Sequence, residues 1–297
     1  MATPALSDEI CRTTLDLYAK CGNQFAAAAE AGVSRTTFQS RLIEAKRRLV
    51  PSQYRSHLII PDTHVKPGID QSHLTWIGKY AAEKNPDVIV CLGDFADMPS
   101  LSAYDRGKKV FEGRRYKADV QAVRDAMSLL MEPLRDYTGR LVLTLGNHEN
   151  RINRAIEDDA KLDGTIGVED LEYEKFGWEV VPFLDVIAID DIAYSHYFYN
   201  PNSGRPYGGT CSNKLKNIGL SFVMGHQQGI DTAMRDLATG QKQHGLVCGS
   251  CYRHFEDYKG PQANGHYQGI VMLNEVKNGS YDLMQVSLDF LRRKYGE

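Results

Sequence analysis

Val88-Ile89-Val90-Cys91-Leu92-Gly93-Asp94-Phe95-Ala96-Asp97 sets five consecutive apolar residues directly before a glycine and two acids. A short run that is apolar on both faces suits a strand buried on both sides of a parallel sheet. The same grammar occurs twice more: Leu58-Ile59-Ile60 leads to Asp62-Thr63-His64, and Leu141-Val142-Leu143-Thr144-Leu145 leads to Gly146-Asn147-His148-Glu149. Helix-like stretches, Gln71 to Lys84 and Lys117 to Arg135, separate the three runs, so the order is β-α-β-α-β. Each run delivers its polar cluster at the strand's C-terminal end, where open α/β sheets build their sites. Three segments remote in sequence are thereby predicted to meet at one sheet edge.

Beyond Gly177 the pattern turns to strands. Trp178 to Val181, Val186 to Ile189 and Ile192 to Tyr194 precede His196, and Phe222-Val223-Met224 precedes Gly225-His226. Later come Gly245 to Cys248, Gly269 to Leu273 and Tyr281 to Val286, the last pair separated by the turn signal Asn278-Gly279. A β-α-β half followed by a strand-rich half predicts two packed sheets with helices outside. The glycine- and proline-rich stretch from Asn200 to Gly209 is expected to form a mobile rim beside the site.

Composition sets wider bounds. The 297 residues, 42% hydrophobic and 25% charged, suit one large domain plus a small module. A net charge of -3 gives no global attraction to nucleic acid or anionic membrane, so any such contact needs a local patch. No apolar stretch approaches the roughly 18 residues of a spanning helix, and no signal-like segment opens the chain, so no membrane partner is expected and the cytoplasm is the expected compartment. The six cysteines read as reduced thiols; Cys248-Gly249-Ser250-Cys251 has zinc-ligand spacing, but no second pair follows, and a strand-end reading is preferred.

The first 52 residues read differently. Ser7 before Asp8 and Glu9 starts a helix running to about Lys20; an alanine-rich Phe25 to Ala31 follows, then Gly32-Val33-Ser34-Arg35 and an amphipathic run to Leu49. Phe38, Leu42, Ala45 and Leu49 share one face of that last run. Helices joined by a glycine turn suit a helix-turn-helix, with Ser34 capping the recognition helix. Within these residues Arg12, Lys20, Arg35, Arg41, Lys46, Arg47 and Arg48 outweigh Asp8, Glu9, Asp16, Glu30 and Glu44, a local charge of about +2 opposite in sign to the remainder, and Arg55 follows just beyond. Over about thirty residues, Gly22-Asn23-Gln24, Ala27-Ala28, Gly32-Val33-Ser34-Arg35, Thr37 and Arg41-Leu42 resemble the Fis-type helix-turn-helix family. DNA is the expected partner, with Arg35, Thr36, Gln39 and Arg41 nearest bases or phosphates; a packing or dimerising hairpin is the alternative. Pro51-Ser52-Gln53 opens a linker. The division is therefore a helical module over 1–52 and a catalytic domain over 53–297.

The strand-end clusters carry carboxylate, imidazole and amide donors, a set that suits manganese, iron or zinc better than magnesium alone. Asp94 has two oxygens with which to bridge two ions roughly 3.5–4 Å apart, a spacing at which both act on one phosphate and a hydroxide between them is nucleophilic at neutral pH. In order, Asp62-Thr63-His64, Gly93-Asp94-Phe95-Ala96-Asp97, Gly146-Asn147-His148-Glu149, His196 and Gly225-His226 are similar to the calcineurin-like metallophosphoesterases, whose pattern runs DxH, GDxxD, GNH(D/E), H, GHxH. The resemblance spans 57 to 297. It implies a four-layer α/β/β/α sandwich behind the small all-α module, with two divalent ions, manganese first and iron or zinc as alternatives. It further implies Asp62, His64 and Asp94 on the first ion, and Asp94, Asn147, His196 and His226 on the second. His148 would assist the leaving group, oriented by Asp97. Arg151 is a further candidate, for a phosphate oxygen.

Two departures bear on function. The family's last motif is GHxH, whereas this chain has Gly225-His226-Gln227-Gln228. Gln228 is thus a candidate for weak or water-mediated ligation, and the first ion is expected to be held less tightly. Asp97 is followed by Met98-Pro99, not by the Arg-Gly of the Ser/Thr protein phosphatase branch, which counts against that activity. The expected function is a metal-dependent phosphodiesterase or nuclease acting on DNA in a bacterial or phage-infected cell. The alternatives are a phosphomonoesterase for nucleotides or phosphoproteins, and a DNA-binding regulator whose phosphoesterase domain has lapsed.

Overall fold

A computed structural model describes residues 6–49, 54–254 and 266–296, and the chain divides into two compact units, Met1–Gln53 and Tyr54–Glu297. The linker Pro51-Ser52-Gln53 and the side chains of Lys46, Arg47, Arg48 and Leu49 lie outside the described residues.

The described residues of the first unit form three helices, α1 (Asp8–Cys21), α2 (Gln24–Glu30) and α3 (Arg35–Leu49). Each starts on a side chain that takes up an orphan amide. Ser7 Oγ accepts from Ile10 N at 3.3 Å, Asn23 Oδ1 from Ala26 N at 2.9 Å, and Ser34 Oγ from Thr37 N at 3.1 Å. Gly32, at φ 65°, makes the turn from α2 to α3 in a conformation that a side chain would oppose. Ala27, Ala28, Phe38 and Leu42 form the buried centre of this unit, flanked by Leu15, Tyr18 and Val33.

The second unit begins with β1 (Arg55–Ile60), α4 (Ser72–Lys84), β2 (Val88–Cys91), α5 (Tyr116–Met131) and β3 (Arg140–Thr144). It continues through α6 (Arg151–Asp158), β4 (Glu179–Val181), β5 (Ile187–Ile189), β6 (Ile192–Tyr194), α7 (Cys211–Ile218) and β7 (Ser221–Met224). The remainder is β8 (Ile230–Asp236), β9 (Lys242–Cys248), β10 (Gly269–Lys277), β11 (Ser280–Ser287) and α8 (Leu288–Tyr295). Two sheets result, in the orders β11-β10-β1-β2-β3-β4 and β5-β6-β7-β9-β8. β1 to β4 run parallel, as do β6, β7 and β9.

The alternation of side chains explains the layers. Leu58, Ile60, Ile89 and Cys91 face α4 and α5, packing with Leu74, Ile77, Val123 and Met127. Ile59, Val88, Val90 and Val142 face the other way and meet Ile192, Tyr194, Val223 and Leu246 of the second sheet. Outside that sheet, Phe222, Met224 and Val247 pack on Cys211 and Leu215 of α7. The arrangement is a mixed α/β sandwich of two sheets between helices. A buried tie crosses the sheets: His57 Nδ1 lies 2.6 Å from the Tyr194 hydroxyl and its Nε2 lies 2.8 Å from Asp190 Oδ2.

Some details depart from the sequence reading. α5 ends at Met131 and is followed by a 3₁₀ turn over Glu132–Leu134, as Pro133 has no N–H with which to continue the ladder. α7, α8 and the edge strand β8 were not expected. The Asn200 to Gly209 stretch closes on itself, with Asn200 N donating to Arg205 O at 2.8 Å and Tyr207 N to Phe198 O at 2.9 Å. Among the described residues no helix is long and apolar enough to cross a membrane.

Candidate metal centre

Five strands end at one place. Asp62 and His64 follow β1, Asp94 follows β2, Asn147 and His148 follow β3, His196 follows β6, and His226 and Gln228 follow β7. His64, Asp94, His226 and Gln228 all have φ between 46° and 67°, a region that non-glycine residues adopt at some cost. The backbone turns abruptly there, and side chains that would otherwise run on with the strand are aimed inward.

Asp94 is the hub. Its Oδ2 lies 3.2 Å from His196 Nε2, 3.8 Å from His64 Nε2 and 3.9 Å from His148 Nε2, while Oδ1 accepts the His148 amide at 2.9 Å. A Cβ on Gly146 would collide with that Oδ1, so the close approach of β3 to the carboxylate requires glycine. Two donor groups share Asp94: His64 with His148, and His196 with His226. Asp62 Oδ1 accepts the His226 amide at 3.0 Å; its buried Oδ2 has no hydrogen-bond partner and stands 3.8 Å from His64 Nε2. Asn147 Oδ1 is 3.0 Å from His196 Nε2.

The electrostatics show what this arrangement is fitted to hold. His196 Nδ1 donates to the Leu92 carbonyl at 2.7 Å, so its Nε2 meets the oxygens of Asp94 and Asn147 either as a cationic N–H or as a lone pair beside a shared cation. Burial opposes charge on His196, but the Asp94 and Asp62 carboxylates outweigh it and push the imidazole up to about 9. Burial likewise opposes charge on Asp94, and His196, His148 and His64 hold it well below the usual carboxylate range. For Asp62, burial pushes upward, and His64 and His196 bring the net shift downward. Burial pushes His226 down, with His196 adding to it, which leaves a neutral imidazole able to ligate. A buried carboxylate oxygen without a donor, a second carboxylate shared by three imidazoles and an amide oxygen form a donor set that fits divalent cations.

Beside it lies a second constellation. His148 Nδ1 donates to Asp97 Oδ1 at 2.7 Å, fixing the ring with Nε2 toward Asp94. Burial opposes charge on Asp97, yet the His148 bond and the nearby His64 and Lys66 hold its carboxyl well below the usual range. Lys66 Nζ stands 3.5 Å from Asp97 Oδ2. Arg151 Nη1 donates to the Asp97 carbonyl at 2.7 Å and lies 3.3 Å from Oδ1, while Nη2 is 3.4 Å from His148 Nε2. In this arrangement Arg151 braces Asp97 and His148.

Gln228 is buried, with Nε2 2.9 Å from His64 Nε2 and Oε1 accepting the Tyr252 hydroxyl at 2.9 Å. Its carbonyl, the atom suited to ligation, is therefore turned to Tyr252. In the helical unit, Arg35, Thr36 and Gln39 are exposed, Arg41 is half-buried, and the Arg35 guanidinium sits 4.3 Å from the centre of the Phe25 ring.

Three residues of the site carried no assignment from sequence. Glu149, fully buried, accepts from Asp94 N, Ala96 N and Gly146 N at 3.0, 2.8 and 2.8 Å and so clamps two ligand loops together. Its place in Gly146-Asn147-His148-Glu149 was the available signal. Tyr252 and Lys66 had none; each reaches the site only through the fold.

A family profile described as calcineurin-like phosphoesterase matches residues 57–278. The gene 54 protein of Mycobacterium phage L5 is 26% identical over 181 residues, covering 58% of this chain and 69% of that protein. The gene 54 protein of Mycobacterium phage D29 is 25% identical over the same shares. One solved chain aligns with 79% of this chain and all of its own length, at 12% identity and a TM-score of 0.41.

Proposed function

The chain belongs to the calcineurin-like phosphoesterase family, and from that premise we propose that this phosphate-ester hydrolase is a phosphodiesterase acting on DNA. The observation that carries the chemistry is Asp94 shared among His64, His148 and His196 beside the unpartnered Asp62 Oδ2. Asp62, His64 and Asp94 would hold one ion and Asp94, Asn147, His196 and His226 the other, with manganese the metal expected from the mixed oxygen and nitrogen donors. Such ions supply the charge that activates water and neutralises the phosphate.

The chain's own groups do the rest. The Leu92 carbonyl orients His196, and Glu149 holds the loops of Asp94 and Gly146 in register. His148, held by Asp97 with Nε2 toward Asp94, would give a proton to the departing oxygen, while Lys66 and Arg151 hold Asp97 in place.

DNA as substrate is supported by the short α2 and the α3 that follows it across the Gly32 turn, a pair we read as a helix-turn-helix, with Arg35, Thr36 and Gln39 exposed at the start of α3. A phage-infected bacterial cytoplasm is the compartment this reading implies, and the similarity to two phage proteins supports it. A manganese-dependent rate on bis-p-nitrophenyl phosphate and on DNA tests the proposal; turnover of monoesters alone would overturn it. That second outcome, a phosphomonoesterase, is favoured by the amide of Gln228 standing where the family has an imidazole.

A further inference from the structure

The chain leaves the candidate site at Asp97 and rejoins the fold at α5, and the segment between is strongly basic. From Pro99 to Lys117 it carries six cationic side chains, Arg106, Lys108, Lys109, Arg114, Arg115 and Lys117, against two carboxylates, Asp105 and Glu112. The whole chain, by contrast, has a net charge of -3. Asp105 is already committed, to Arg114 at 2.8 Å and to Lys108 at 3.3 Å. Among the described residues Arg106, Lys109 and Lys117 form no ion pair, and all three are exposed. Tyr104 stands among them with 81% of its surface exposed, and Val110 is 49% exposed.

This lobe is fixed to the site. Arg114 Nη1 donates to the Pro99 carbonyl at 3.0 Å, and Ser100 N donates to the Asp119 carboxylate of α5 at 2.9 Å, so departure and return are pinned together. Pro99 is two residues from Asp97, the partner of His148. The segment that carries these cations thus leaves the fold beside Asp97, the partner of His148.

We propose that the lobe of residues 103–117 binds the polynucleotide strand that continues beyond the scissile phosphate, with Arg106, Lys109 and Lys117 on its phosphates and an unpaired base stacked on Tyr104. A concentration of cations with a protruding aromatic ring is the combination that single strands use, because every base has a stacking face and every linkage a charge. An acidic polypeptide would use the cations but not the ring. The assignment rests on the phosphodiesterase reading, since it makes the leaving group a chain of phosphates and not a lone alcohol.

Binding of a labelled oligothymidylate of about 20 nucleotides to the full chain, in chelator so that nothing is cleaved, tests it. At about 50 mM salt, R106E/K109E/K117E is expected to bind at least about tenfold more weakly, with a log-log salt slope shallower by about two. Y104A is expected to lose about tenfold. R106K/K109R/K117R should keep wild-type affinity, and equal melting temperatures would show the variants folded. Unchanged affinity and slope in the charge reversal overturn the proposal. So does polyglutamate competing as well as the oligonucleotide while Y104A has no effect, which assigns the lobe to an acidic protein. The wild-type rate on bis-p-nitrophenyl phosphate tests the phosphodiesterase reading separately, because the binding assay involves neither metal nor turnover.

Discussion

The Tyr252 hydroxyl donates to Gln228 Oε1 at 2.9 Å, which turns the Gln228 amide nitrogen onto His64 Nε2 at 2.9 Å. The amide thus occupies the lone pair with which His64 would ligate, and keeps its own carbonyl out of reach. Any ion between Asp62, His64 and Asp94 must displace that contact. The pair is therefore expected to set the two candidate positions apart in affinity.

Titration of the metal-free protein with manganese should therefore show one tight and one weak site. Q228H is expected to tighten the weak one by at least about tenfold, in the range by which neighbours of metal ligands tune affinity. Calorimetric stoichiometry reads this directly. Two equal sites in the wild type would count against it.

The His148–Asp97 pair makes a prediction about leaving groups. H148Q should slow hydrolysis of DNA or an alkyl diester by about 10²–10⁴-fold. A p-nitrophenyl ester, whose leaving group departs without a proton, should lose less than about tenfold. Equal losses on both substrates would show that His148 acts elsewhere in the reaction.

Glu149 offers a test of stability. E149L leaves the buried amides of Asp94, Ala96 and Gly146 without acceptors, a loss of about 3–5 kcal/mol measurable by urea unfolding. A change below about 1 kcal/mol would mean that the loops find other partners.

His73, in the first turn of α4, makes stability depend on pH. Its Nε2 donates to the Cys251 carbonyl at 3.0 Å, and its buried Nδ1 has no hydrogen-bond partner. Burial pushes the imidazole down to about 4, the Cys251 carbonyl and Asp70 opposing, Arg253 and His254 adding. The folded state therefore takes up the proton later than the unfolded one as pH falls. This contribution is whole above about pH 6.5 and is lost progressively toward pH 4, about 3 kcal/mol in all. H73Q keeps a donor for the carbonyl and does not titrate, so between pH 7.5 and 4.5 it should lose roughly 2–3 kcal/mol less unfolding free energy than the wild type. Parallel losses would remove His73 as the cause.

The parts visible in sequence were those in which one stretch carries the whole signal. Val88 to Asp97 shows both a doubly buried strand and the ligand that ends it, because Ile89 and Val90 face opposite cores. β8 was not visible, since Ile230-Asp231-Thr232-Ala233-Met234-Arg235-Asp236 is a polar edge strand and, among the described residues, pairs only with β9. α7 was hidden for a similar reason: of its eight residues only Cys211, Lys214 and Leu215 are buried. Gln228 was recognisable as an irregular residue, but which of its amide atoms faces His64 is decided by Tyr252, 24 residues further on. The charge of the 103–117 lobe was written in the chain, but its proximity to Asp97 depends on Arg114 reaching back to Pro99.

The left-handed backbone at His64, Asp94, His226 and Gln228 bears on how such a protein would decay. Each of these residues costs on the order of 1 kcal/mol that glycine would not. A descendant released from hydrolysis would gain stability by giving up these side chains first, so drift and folding would favour the same replacements. With a carboxylate, two imidazoles and an amide at four such turns, these positions are the place to look first when sorting active relatives from lapsed ones.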